Sequence, residues 1–151
     1  PGNSSVVVCG FNWTNFVGSS ISVTVHGFYG QNETTVSQVL VIPYLKVANA
    51  SFSNFPSGNP YVNVTVFDSI QSPFPANITG ISAKANSMQS PIPIDGTIAI
   101  PKIGSNGYQL SIGNEVTFVC PWDWSPYNGQ DLTFAVQTTG GPTFSATFHV
   151  G

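Results

Sequence analysis

Apolar and polar residues alternate along much of this chain with a period of two, and hardly anywhere with the period of 3.6 that marks an amphipathic helix. Ile21-Ser-Val-Thr-Val25 alternates cleanly and predicts a half-buried strand. In Tyr61-Val-Asn-Val-Thr-Val-Phe67, Val62, Val64 and Val66 fall on one face, Asn63 and Thr65 on the other. Thr143–Val150 sets Phe144, Ala146, Phe148 and Val150 against Thr143, Ser145, Thr147 and His149. Turn residues join such runs into two expected hairpins. One pairs Tyr108–Ile112 with Glu115–Cys120 across Gly113-Asn114; the other pairs Asp131–Thr138 with Thr143–Val150 across Gly140-Gly141.

Elsewhere the pattern is less regular. Thr35 to Val47 is a long β-type run with Pro43 inside it, which demands an edge, a bulge or a break. Asn49 to Pro60 reads as a loop, and Ile78 to Met88 as a strand or a short helix. Ile98-Ala-Ile100, bracketed by prolines, suits a strand at a sheet edge. Short strands at this spacing predict an all-β fold, an immunoglobulin-like β-sandwich, over residues 11–151. Residues 1–10 stand apart as an N-terminal arm, in which Ser4, Ser5, Val6, Val7, Val8 and Cys9 form a charge-free, β-branched run. Such a run serves equally as the first strand of its own domain or as an extended strand donated to a neighbouring copy. Donation is a heterologous contact, because giving and receiving surfaces differ, and its repetition builds an open filament of identical subunits.

Composition narrows the setting. Of the 151 residues only 6% are charged, against about 25% in ordinary globular chains, and arginine is absent. With Lys46, Lys84 and Lys102 as the only cations, a nucleic-acid partner is not expected. No window is long and apolar enough for a spanning helix, so no membrane-spanning segment is expected in the mature chain. The chain opens at Pro1 without methionine, as it would after export and removal of a signal peptide. In an exported protein the simplest reading of Cys9 and Cys120 is one disulfide; two buried thiols are the alternative. Six Asn-x-Ser/Thr triplets start at Asn3, Asn12, Asn32, Asn49, Asn63 and Asn77, about twice the number the composition would give by chance. They predict covalent N-linked glycans, which would supply the solvation that the missing charges do not. Asn63 in particular is expected to stand unhindered on an exposed sheet face.

Candidate chemistry is thin. His26 and His149 occupy strand positions, and Asp68, Asp95, Asp123 and Asp131 are scattered. No nucleophile elbow, paired-histidine zinc motif or phosphate loop occurs, so neither an enzyme nor a cofactor or metal is expected. Trp122 and Trp124, in Pro121-Trp-Asp-Trp-Ser-Pro-Tyr127, could stack on sugar rings with Asp123 holding a hydroxyl; the favoured reading is that they plug the end of the sandwich.

Taken together, the arm Ser4-Ser-Val-Val-Val8, the six sequons, the near absence of charge and the single Cys9/Cys120 pair resemble an archaeal thread-filament subunit. That resemblance implies an exported, heavily N-glycosylated pilin of the cell surface, joined head to tail by donor-strand complementation, in an architecture reminiscent of chaperone–usher type-1 pilins. It further implies that Ser4 to Cys9 are the donor strand, that all six asparagines carry glycans, and that the filament serves adhesion or cell–cell contact. A Cys9–Cys120 bond would then either anchor the arm within one subunit or lock it into the next. Two rival expectations are a monomeric carbohydrate-binding or adhesin domain and the ectodomain of a longer surface-layer or type IV pilin protein.

Overall fold

The computed structural model describes residues 20–26, 32–38, 43–140 and 142–151. The chain divides into two compact units, Pro1–Val41 and Ile42–Gly151. In the first, β1 (Ser20–His26) and β2 (Asn32–Gln38) pair antiparallel in a sheet of their own. The register sets Val23 opposite Thr35 and Val25 opposite Glu33. The expected arm of residues 1–10, with its donor strand, lies outside the described residues.

The second unit is an antiparallel β-sandwich. Its strands are β3 (Leu45–Asn54), β4 (Pro60–Asp68), β5 (Ala76–Ala85), β6 (Ile92–Ile94), β7 (Tyr108–Leu110), β8 (Glu115–Pro121), β9 (Asp131–Thr138) and β10 (Thr143–His149). One sheet has the order β3-β4-β8. The other runs β10-β9-β5, and the far edge of β5 is shared by β7 along Ala76–Ile78 and β6 along Ile81–Ala83. Among the described residues the only helical piece is a 3-10 turn at Ser125–Tyr127.

The period of two builds the core. Val62, Val64 and Val66 of β4, with Phe118 and Cys120 of β8, face Leu132, Phe134 and Val136 of β9, and all eight are fully buried. Each such aliphatic or aromatic side chain contributes roughly 1.5–3 kcal/mol on leaving water. The fourth inward position of β4 is Asp68, also fully buried. Its carboxylate accepts the Ser72 hydroxyl and the Ala76 N–H, the latter at 3.3 Å, while Ser72 Oγ accepts the Tyr44 N–H at 2.8 Å. The Asp68 backbone binds Asn114 O and Gly113 N–H, each at 2.9 Å. One residue thus ties together, at one end of the sandwich, the two loops that pass from sheet to sheet, one through its side chain and the other through its backbone.

Two bulges explain where the alternation looked irregular. On β5 the register shifts between Ile78 and Gly80, so Ala76 and Ile78 point inward before it and Ile81, Ala83 and Ala85 after it. Ile78 to Met88 is therefore mostly strand, with its parity switched once. On β3 the shift falls between Val47 and Asn49. The strand continues to Asn54, and the expected Asn49–Pro60 loop shrinks to the five residues 55–59. Pro43 is buried ahead of β3, so the long run from Thr35 is broken there. The β9–β10 hairpin forms as expected. The other expected hairpin does not: β7 pairs with β5 in one sheet and β8 with β4 in the other, so Gly113-Asn114 turns an arch between sheets. Ile98–Ile100 contributes only one bridge, Ile100 to Val119 at the edge of β8.

Candidate functional site

The outward faces of the two sheets carry most of the predicted site residues of the second unit. On the three-stranded sheet, Asn49 lies opposite Thr65, and Ser51 opposite Asn63, which is itself opposite Val119. Asn49 and Asn63 are diagonal neighbours on this face. Asn49 is exposed at the bulge of β3 and has no side-chain hydrogen bond among the described residues. Asn63 is half-buried: its Nδ2 donates to Ser51 Oγ at 3.3 Å, and its Oδ1 is enclosed without a partner among the described residues. The unhindered asparagine of the sequence reading is therefore Asn49 more than Asn63. Beside them Thr65 and Thr117 bond hydroxyl to hydroxyl at 2.9 Å.

Asn77 projects outward from β5 just before its bulge, and its surroundings differ. Its Nδ2 donates to Asn106 O at 3.0 Å and to Thr139 Oγ1 at 2.9 Å. Its backbone carbonyl accepts the Thr139 N–H at 3.0 Å. Its Oδ1 lies against Gly107, whose φ of +81° belongs to the left-handed region that favours glycine. Of the other asparagines, Asn32 is the first residue of β2, while Asn3 and Asn12 lie outside the described residues.

Cys120 is a buried thiol on the inward side of β8, 3.7 Å from Phe118 O, and burial pushes it up to about 12 from its ordinary 9.0. A thiol so shielded is a poor nucleophile at neutral pH. Cys9, the other half of the expected pair, lies outside the described residues.

The tryptophan loop is built into the fold. Trp122 stacks on Tyr127 at 5.6 Å and 10°, and meets Phe134 edge-on at 6.3 Å. Trp124 packs on Phe52 at 5.7 Å and donates its indole N–H to Ser53 O at 3.1 Å. Asp123 Oδ1 accepts the Ser125 N–H and hydroxyl at 3.0 and 2.6 Å, fixing the 3-10 turn. Both rings pack against aromatic residues of the domain and the Trp124 indole N–H is engaged, as the plug reading expects.

Asp95 accepts both the Thr97 hydroxyl and N–H, which hold its carboxyl below the usual range. His149 Nδ1 meets Asp131 at 2.8 Å on an exposed face. An open cleft of about 490 Å³ borders the β5 bulge between β6 and β7, lined by uncharged residues such as Thr79, Pro93, Thr97, Ser105 and Gln137. Among the described residues no cluster of three or more metal-ligating side chains occurs, and no helix is long and apolar enough to cross a membrane.

No family model and no curated protein matches the chain. Three solved structures are similar to it. The archaellum periplasmic stator protein FlaG from Sulfolobus acidocaldarius is similar over 71% of this chain and 100% of its own, at 15% identity and a TM-score of 0.44. The FlaF–FlaG stator complex from the same organism gives 71% and 90%, 16% identity and a TM-score of 0.46. The archaeal flagellum of Methanospirillum hungatei strain JF1 gives 70% and 67%, 12% identity and a TM-score of 0.45.

Proposed function

We propose that this chain is the structural subunit of an extracellular, N-glycosylated filament, assembled head to tail by donation of the Ser4–Cys9 arm into the sandwich of the next copy. It works in adhesion or cell–cell contact and carries out no catalysis. The observation that carries this reading is the unequal closure of the sandwich's two flanks. On one flank β3 and β10, an edge strand from each sheet, lie against each other. On the other, among the described residues, β8 is met only by Ile100, whose N–H and carbonyl bond Val119 at 3.0 and 2.8 Å. The remaining edge of β8, toward Thr117 and Glu115, continues the same hydrogen-bonding row. An edge with no further partner among the described residues is one to which a strand can be added. The arm has the β-branched alternation to answer it, and burying three or four of its side chains contributes on the order of 5–10 kcal/mol before ordering costs. The rival sugar-binding reading has less support, because both tryptophans already pack against rings of their own domain.

The test is the size of the protein purified from its own cells in mild and in boiling detergent. A ladder that survives mild detergent, built from subunits heavier than 16.0 kDa, is expected. Deleting Pro1–Val8 should collapse it to monomers. A clean monomer at the bare chain mass, or filaments of normal length without the arm, would sink the reading.

A further inference from the structure

Three sequons fall within the sandwich unit, and the fold treats them unequally. Glycan transfer from a phosphate-activated sugar donor forms a bond from the Asn Nδ2 to the sugar's anomeric carbon as the bond from that carbon to the carrier phosphate breaks, and one of the two amide hydrogens leaves as a proton, so an acceptor must have a hydrogen and a clear approach. Asn49 has both, since its side chain is exposed and unbonded among the described residues. Asn63 commits one hydrogen to Ser51 Oγ and keeps the other, on a half-buried amide whose Oδ1 is enclosed, so it is the less open acceptor of the two. Asn77 has neither to give. Its two hydrogens go to Asn106 O and Thr139 Oγ1, and a carbonyl oxygen can only accept, so the amide cannot be turned over to release them. The carbonyl end is confined as well, by Gly107 and the turn it makes.

Resting on the glycosylated-filament reading, we infer that glycans of the sandwich unit are confined to the outer face of the three-stranded sheet, at Asn49 and Asn63. Asn77 is instead a clasp. It joins the bulged strand β5 to the Gly104–Gly107 turn through Asn106 and to the β9–β10 turn through Thr139. The domain thus has one sugar-bearing face, and the outer face of the five-stranded sheet is left bare.

Glycopeptide mass spectrometry of the filament from its own cells tests this directly. Peptides with Asn49 and Asn63 are expected to carry glycan, and the peptide with Asn77 its bare mass. Sequon-breaking changes that spare the asparagines sharpen the result. Ser51→Ala and Thr65→Val should each remove one glycan mass, whereas Thr79→Val should leave the mass unchanged. The clasp has its own readout: Asn77→Ala should lower the melting temperature by about 5 °C, and Asn49→Ala should not move it. A glycan on Asn77, or an Asn77→Ala variant as stable as the parent, overturns the inference. Bare Asn49 and Asn63 with glycans elsewhere on the chain overturn it too, while leaving the filament reading intact. Loss of the detergent-resistant ladder would strike that reading instead.

Discussion

The two sheets of the sandwich follow one rule on their inner sides and two different rules on their outer sides. Inward, both present alternating aliphatic and aromatic residues, and little distinguishes Val62, Val64 and Val66 of β4 from Leu132, Phe134 and Val136 of β9. Outward, both replace the usual charges with hydroxyls and amides that bond across strands: Thr65 with Thr117 on one sheet, Thr133 with Thr147 on the other, at 2.9 and 2.8 Å. The difference lies in what each face does with its asparagines. The three-stranded sheet leaves Asn49 open and Asn63 half-committed, whereas the five-stranded sheet spends Asn77 entirely on its own loops. Where charge is scarce, an uncharged polar group can satisfy the fold or serve the exterior, and the local backbone decides which.

The comparison breaks most severely at Gly107. A side chain there meets a left-handed φ of +81° and would come within 2.8 Å of Ile78 O, besides striking the Asn77 amide. Gly107→Val is expected to destabilise the domain by about 3 kcal/mol or more. Gly58, in the β3–β4 turn of the other sheet, has nearly the same φ, +85°, but nothing near its missing Cβ. Gly58→Val should cost only the backbone strain, about 1–2 kcal/mol. Urea unfolding of the two variants measures the difference; equal losses would mean that the Asn77 clasp has no energetic weight.

A second effect separates the inner sides. Because burial raises the Cys120 thiol from 9.0 to about 12, the folded state keeps its proton where the unfolded chain has lost it. The stability this provides is complete below pH 9 and disappears progressively as pH rises from 9 to 12. In reductant, the alkaline loss on this account is expected to be on the order of 2–4 kcal/mol by pH 12. Cys120→Val should remove that part of the slope, and an unchanged slope would show that the thiol is not shielded from water in solution. Thiol labelling at pH 8 should likewise reach Cys120 only after unfolding.

How much of this was legible in the sequence depends on whether a feature is local. The alternation of β4 and of the β9–β10 hairpin is written in single short windows, so both appear where expected. Tyr108–Cys120 fails as a hairpin for a reason its own residues cannot reveal. A strand, a Gly-Asn turn and another strand read alike whether the chain folds back in one sheet or arches to the next. The arch is decided by Asp68, more than forty residues away, which bonds both Gly113 and Asn114. Bulges hide for a related reason: one extra residue at Ile78/Gly80 or Val47/Asn49 exchanges the two faces, and the pattern then looks like a loop or a helix. The sequons are alike by motif and unlike by environment. A clue did exist for Asn77, since Gly104 and Gly107 mark a tight turn, but the strand it packs against could not be read.

The smallest effect is also the most discriminating. Thr65 and Thr133 occupy equivalent places, each half of a cross-strand hydroxyl pair. Valine keeps the shape and suits a strand at least as well, so Thr65→Val and Thr133→Val should each change stability by roughly 0.5 kcal/mol or less. Their masses should nevertheless differ. Thr65 completes the sequon of Asn63 and its loss removes a glycan, whereas Thr133 belongs to no sequon and its loss removes nothing. If the two variants matched in mass as well as in stability, the faces would be equivalent and the asymmetry would be one of hydrogen bonding alone. If Thr65→Val lost its glycan and also became markedly less soluble, the sugar on that face would be supplying the solvation that charge supplies elsewhere.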